Sequence, residues 1–208
     1  MGSKSHRMYG RTLPRVTSVL GVIAKGDGFL KWLASHGWKE AQRIKQESAE
    51  EGTSLHSIAS SLLLGRNVSV SSRYRACVGG IEKAIVRFGL LDGPLEVEHR
   101  VVHLCEGYCG TTDFVTPRFL GDWKFGNRLY REYDFQTAAY LMAEMDMFEH
   151  EETKSAVLTF PPPKDRLLIR VDDEGNIDYR LRKASTFVKD ANAFGHALGL
   201  YNELKEND

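Results

Sequence analysis

"GTTDFVTPRFLGDWKFG", residues Gly110–Gly126, reads as the end of one strand, a turn at Pro117 and a second strand. It places three charges, Asp113, Asp122 and Lys124, where strands normally carry apolar or neutral side chains. Residues two apart on a strand share a face, so Lys124 points the same way as Asp122. In antiparallel neighbours Asp113 and Asp122 can face one another at one edge of the sheet. Left unpaired, two such carboxylates repel and one must take up a proton. A divalent cation removes that conflict, because hard cations take carboxylate oxygens. A lysine beside metal-bound carboxylates can orient or deprotonate a water, or stabilise an anionic transition state. Phosphodiester hydrolysis needs both an activated water and neutralised phosphate charge. The D-x8-D-x-K spacing alone is equally compatible with edge-strand charges that point to solvent and block aggregation.

Outward from this stretch the pattern alternates between strand and helix periods. "LEVEHRVVHL" alternates like a strand, and "GYCGTTDFVTP" forms its hairpin partner after a turn at Glu106-Gly107. Helical spacing returns over Glu132–Met147. "SAVLTF" and "DRLLIRV" read as strands separated by "PPP", "DEGN" turns into the strand "IDYRL", and Lys183–Leu204 closes the chain as a helix. Upstream, Thr17 is placed to cap a short helix over "SVLGVIAKG" that stops at Gly26 and Gly28. "FLKWLASHG" predicts a second helix with Phe29, Leu30, Trp32 and Leu33 inward. From Trp38 to Leu64 two helices are expected to meet at Gly52, with Thr53 capping the second. Ser72–Leu90 predicts another amphipathic helix ending near Gly89. "MGSKSHRM" has the look of a leader ahead of Met8 and is given no role in the fold. The whole order predicts one α/β domain. A helical N-terminal part covers about residues 12–90, and a mixed central sheet with a C-terminal helix covers about 91–208.

Composition narrows the setting. The 208 residues carry 28 basic and 28 acidic side chains, so net charge gives no global nucleic-acid signature. Residues 1–50 nevertheless hold nine Lys/Arg against four Asp/Glu, and "EMDMFEHEE" (Glu144–Glu152) is acidic. Each is also compatible with an ordinary solvated helix face. No stretch has the continuous apolar run of a membrane span, and no signal-peptide core is visible. Three cysteines, Cys77, Cys105 and Cys109, argue for a reducing, cytoplasmic compartment. Cys105 and Cys109 alone fall short of the four ligands of a metal cluster, and buried or free thiols are expected.

Two further elements carry chemistry. "FQTAAY" puts Gln136 and Tyr140 one helical turn apart on the helix after the third strand. The amide suits a phosphate or base, and the phenol suits stacking or a hydrogen bond. A surface amide and a half-buried ring explain the same pair. "GTSLHSIASSLL" sets His56 on a helix whose inward positions are Leu55, Ala59, Leu62 and Leu63. Such a histidine is either a satisfied core residue or a neutral imidazole ligand.

In order, the chain therefore shows G-T-x-x-H, G-x-x-D, D-x-K and Q-x-x-x-Y. Over roughly residues 12–145 this resembles the PD-(D/E)xK nuclease superfamily in its RecB-like exonuclease branch, which includes phage, mitochondrial genome maintenance and CRISPR-associated exonucleases. "LPRVTSVLGV" and "FLKWLASHGWKEAQRIKQESAEEGTSLH" are similar to the N-terminal part of phage and mitochondrial members. The resemblance implies a restriction-endonuclease-like core, in which a mixed sheet is flanked by helices, and a Mg²⁺- or Mn²⁺-dependent DNA exonuclease acting on single strands or ends. His56, Asp113 and Asp122 would be metal ligands, with the Trp123 carbonyl completing the shell. Lys124 would position or activate water, while Gln136 and Tyr140 would hold the DNA strand and brace the site. Glu98 falls where many relatives carry an acid, with a ligand or a structural role open to it.

The basic N-terminal segment would join the DNA channel. Recombination or replication proteins are the partners to expect, and a small domain without a helicase suits phage or mobile-element DNA metabolism. The chain departs from the pattern in two places. Relatives often have Thr or Ser after the lysine, where Phe125 stands here, and three cysteines cannot hold the iron–sulfur cluster of some relatives. A structure-specific or restriction-type endonuclease on the same core, a DNA-binding accessory protein with an inactive site, and a plain α/β binding module are the competing expectations.

Overall fold

The computed structural model describes residues 5–24, 26–150, 153, 158, 160, 162–163 and 165–205. Five strands form the central sheet in chain order: β3 (Glu96–His103), β4 (Tyr108–Val115), β5 (Phe119–Phe125), β6 (Asp165–Val171) and β7 (Ile177–Arg182). All neighbours are antiparallel except β5 and β6, which run parallel. Parallel neighbours need a long crossover, and α4 (Glu132–Glu149) lies within it. The result is the mixed α/β architecture expected, with helices on both faces.

Period-2 alternation divides the side chains between two cores. Val115 and Leu120 pack on one face with residues of α1 (Val16–Val19), α4 and α5 (Phe187–Lys205). Phe114, Trp123 and Ile169 pack on the other with Leu55, Ala59 and Leu63 of α2 (Asp27–Leu63) and Ile81 and Ile85 of α3 (Arg75–Phe88). Asp113 shares a face with Val115, and Asp122 and Lys124 share one with Leu120. All three charges therefore point toward the α4 side.

The crossover helix is fixed by buried ions. Asp134 on α4 and Asp190 on α5 are both fully buried. Arg180 and Arg131 hold Asp134 at 3.1 and 2.9 Å, and Arg166 and Arg182 hold Asp190, each at 2.8 Å. Arg166 also donates to the Asp134 carbonyl at 2.8 Å, joining β6 to the start of α4. Removing one partner of a buried ion pair of this kind costs roughly 3–5 kcal/mol.

Several expectations are corrected. The helix from Asp27 to Leu63 bends at Gly37, the boundary expected ahead of Trp38, through a φ of 71° that no other residue adopts as easily; the break expected at Gly52 does not occur. Gly52 sits within strong helix formers that absorb its cost of about 1 kcal/mol. Thr53 caps nothing; its hydroxyl donates back to the Ala49 carbonyl. Ahead of the kink the helix runs away from the core, leaving Phe29 and Leu30 exposed and Trp32 and Leu33 half-buried. α1 begins after Arg15, without a Thr17 cap, and ends in a short 3₁₀ turn over Leu20–Val22. Ser5–Met8, given no role, is a strand (β1) paired with Arg11–Pro14 (β2). Most of "SAVLTF" lies outside the described residues. Its Leu158 and Phe160 pack on the α4-side core without belonging to a strand. Among the described residues no helix is long and apolar enough to cross a membrane.

Gly121 directly precedes Asp122, and a Cβ there would stand 1.9 Å from the Phe114 ring. Gly121→Ala must displace that ring, so the variant should be destabilised by about 1–3 kcal/mol. Thermal unfolding checks this, and a parental melting temperature would contradict it.

Candidate active site

β4 and β5 pair only at Phe114↔Gly121 and Val115↔Leu120. One step further the same register would set Asp113 opposite Asp122, but there side chains replace the ladder. The Thr112 hydroxyl donates to the Gly121 carbonyl at 2.8 Å, and the Trp123 N–H donates to Asp113 Oδ2 at 2.6 Å. The strands are thus held together at their splayed end by side chains from one of them. The two carboxylates meet at that end.

His56 reaches in from α2, its Nδ1 3.0 Å from Asp113 Oδ1 and its ring edge-on to Phe125 at 5.1 Å. Lys124 pairs with Asp122 Oδ2 and donates to Gln136 Oε1 at 3.1 Å. Gln136 Nε2 donates to Asp122 Oδ1 at 3.1 Å and to the Tyr140 hydroxyl at 2.8 Å. Tyr140 in turn lies over Gly110, where a Cβ would come within 2.3 Å of the ring. His56, Asp113, Asp122, Lys124, Gln136 and Tyr140 all line one open cavity of about 680 Å³.

Trp123 does not line this cavity; its indole is buried on the opposite face, against Phe114. Gln136 and Tyr140 are both nearly fully buried, with Tyr140 only 3% exposed. Stacking on a base requires an open ring face, which Tyr140 lacks. What the geometry supports for this pair is bracing: the Gln136 amide spans Lys124, Asp122 and Tyr140, so its orientation sets theirs.

Glu98 also lines the cavity. It falls opposite Asp113, between the pairs Val97↔Phe114 and His99↔Thr112, and has a left-handed backbone (φ 54°). That conformation costs a non-glycine residue on the order of 1–3 kcal/mol and is typical of functional sites. Its Oε1 accepts a hydrogen bond from Ser60 at 2.8 Å.

Arg15, of the basic N-terminal segment expected at the DNA channel, lines the same cavity; the reading of the sequence missed Arg66 there and a row of small hydroxyls at Thr53, Ser57, Ser60 and Ser61. The row was visible in principle. An exposed helix face ordinarily carries long charged side chains, and here one face at helical spacing carries only short ones beside His56. Short side chains leave the groove open. Arg66 had no local signal, since only the fold brings it near.

Burial pushes the Asp122 carboxyl up to about 6, with Asp113 adding to the shift and Lys124 opposing it. Burial disfavours protonated His56, but the Asp113 carboxylate outweighs it and raises the imidazole's pKa. Burial likewise opposes the Lys124 charge, and Asp122 and Asp113 together overcome it and hold the ammonium above its ordinary pKa. The site is therefore tuned to hold protons where a cation would displace them. Asp122 Oδ2 is buried and has no well-aligned hydrogen-bond donor, although the Lys124 ammonium lies against it. Two carboxylates, one of them with an under-satisfied buried oxygen, and an imidazole fit a hard divalent cation such as Mg²⁺ or Mn²⁺.

In the absence of metal, Asp122 keeps its proton to a higher pH folded than unfolded. Its contribution to stability is complete below 3.8 and is lost as pH rises toward about 6. His56, also raised, extends the loss above 6.5. In EDTA, Asp122→Asn should remove the Asp122 part of this slope. It should gain stability over the parent at neutral pH, on the order of 1–3 kcal/mol. Parallel denaturation series from pH 4 to pH 8 would show it, and an Asp122→Asn protein less stable than the parent at pH 7 would contradict it.

No protein-family model matches this chain, and no curated protein matches it. Among solved structures it is similar to a phage-related exonuclease from Haemophilus somnus 129PT, at 12% identity over 93% of this chain and 96% of that one, with a TM-score of 0.38. It is also similar to the alkaline exonuclease LHK-Exo from Laribacter hongkongensis, at 12% identity over 93% of this chain and 91% of that one, with a TM-score of 0.34.

Proposed function

We propose that this chain is a divalent-metal-dependent deoxyribonuclease that hydrolyses phosphodiester bonds at DNA ends or in single strands. The observation that carries the reading is the convergence of Asp113 and Asp122 with Lys124 at the splayed end of β4 and β5, inside an open cavity. The four ordered motifs support it, since all four contribute a lining residue.

Asp113, Asp122 and His56 are the side chains that would hold the cation, and the Trp123 carbonyl is the backbone ligand that the resemblance adds. A bound Mg²⁺ or Mn²⁺ would supply phosphate charge neutralisation and an activated water. The chain's own groups do the rest. Asp113 is oriented by the Trp123 N–H, and Asp122 by the Gln136 amide. Lys124, kept protonated by both aspartates, acts as a fixed cation that orients water and stabilises charge developing on the phosphate oxygens. Arg15 and Arg66 offer guanidinium groups to backbone phosphates, and the Thr53–Ser61 hydroxyl row offers neutral donors. Tyr140 fixes Gln136 from behind.

End-labelled single- and double-stranded DNA, incubated with Mg²⁺, Mn²⁺ or EDTA, tests the reading. Metal-dependent release of nucleotides from ends is expected, with closed circular DNA left intact. Cutting of closed circles would favour the endonuclease alternative, and metal-independent or absent cleavage would overturn the proposal. Lys124→Ala should lower turnover at least about a hundredfold while leaving Mn²⁺ binding by calorimetry nearly unchanged. Equal loss of both would make Lys124 a structural residue.

A further inference from the structure

A second cluster of metal-ligating side chains lies outside the cavity, where the β3–β4 turn meets the end of α4. Cys105 is exposed in the turn, Asp146 is buried in the last turn of α4, and His150 follows it by four residues at the helix end. One ligand atom from each lies within 4.8 Å of the others. Cys105 Sγ is 3.4 Å from His150 Nε2, and that same nitrogen is 3.5 Å from Asp146 Oδ1. In a tetrahedral zinc site, with bonds of about 2.3 Å to sulfur and roughly 2.0–2.2 Å to nitrogen and oxygen, neighbouring donors stand roughly 3.4–3.6 Å apart. The two separations from His150 Nε2 already have that spacing, and the third lies within 4.8 Å.

We infer that Cys105, Asp146 and His150 form a zinc site that clips the β3–β4 turn to the end of α4. The donor set of thiolate, imidazole and carboxylate suits Zn²⁺ and is too soft for Mg²⁺. The carboxylate is already oriented. Asp146 Oδ2 accepts the Leu104 N–H at 2.7 Å, and His103 Nδ1 lies 3.2 Å from Oδ1. Cys109, the thiol that spacing in the sequence would pair with Cys105, is buried beside the Leu13 and Pro14 carbonyls and takes no part. Exposure of Cys105 gives the ion a route in, and three protein ligands leave a fourth position for water. Loading releases the Cys105 thiol proton to solvent as the sulfur–metal bond forms. The clip holds the far end of the helix that carries Gln136 and Tyr140, and it does not depend on the nuclease reading.

Co²⁺ is the probe, since a cysteine ligand to it gives a near-ultraviolet thiolate-to-metal charge-transfer band that Asp113, Asp122 and His56 cannot produce. Titration of the metal-free full chain, without DNA, should develop this band at about one equivalent, and added Zn²⁺ should displace it. The band should persist in Asp113→Asn/Asp122→Asn and in Cys109→Ser. It should vanish in Cys105→Ser, with Zn²⁺ affinity at that site lowered at least about a hundredfold. In the Asp113→Asn/Asp122→Asn background, where the cavity no longer competes, Zn²⁺ should raise the melting temperature, and adding Cys105→Ser should abolish that rise. No band in the parent, as for a thiol merely hydrogen-bonded to the imidazole, would overturn the inference. A band that survives Cys105→Ser would also overturn it.

Discussion

Two carboxylates are held side by side out of water, at the point where β4 and β5 stop pairing. Most of the surrounding structure answers that constraint. The ladder cannot continue through Asp113 and Asp122, so Thr112 and Asp113 bind the β5 backbone with their side chains instead. The charge is balanced by His56 on α2 and by Lys124, two residues along β5 from Asp122. Glu98, opposite Asp113, leaves the ladder with a left-handed backbone, which gives the cavity a third acid at some conformational cost.

The second requirement is that Gln136 arrive at the right height. Its amide touches Lys124, Asp122 and Tyr140 at once; Tyr140 moves with it on α4, and a shift of the helix by a fraction of a turn would break both contacts to β5. The Asp134–Asp190–arginine network pins the start of α4 to β6, β7 and α5. The buried His99–Glu144 pair, at 2.6 Å, ties β3 to its middle. Lengthwise the helix is therefore anchored on both sides of the residues that brace the site. This is the arrangement needed to hold reacting groups to within a fraction of an ångström.

What the sequence made legible follows physical period. The strands β3, β4 and β5, the turn at Pro117, and the helix bearing Gln136 and Tyr140 were readable because alternation and turn residues there are local properties. The shared face of Asp122 and Lys124 followed from the same alternation. Errors came where a local rule competed with context. A glycine within strong helix formers does not break a helix, so Gly52 stayed helical, while the boundary read between Gly37 and Trp38 is present as a bend through the positive φ of Gly37. Phe29 and Leu30 looked inward by composition, but nothing packs over that stretch strongly enough to bury them. The place of Arg66 at the cavity and the meeting of Cys105 with His150 depend on separations of dozens of residues, which spacing along a single chain does not encode.

The central claim is that Asp113 and Asp122 share one divalent cation. The most direct measurement is Mn²⁺ anomalous scattering from crystals of the full chain. A peak within coordination distance of one oxygen from each aspartate, with His56 turned toward it, is the predicted result. Crystals in which Mn²⁺ is found elsewhere on the molecule, while Asp113 and Asp122 remain bound only to protein groups, would contradict the account.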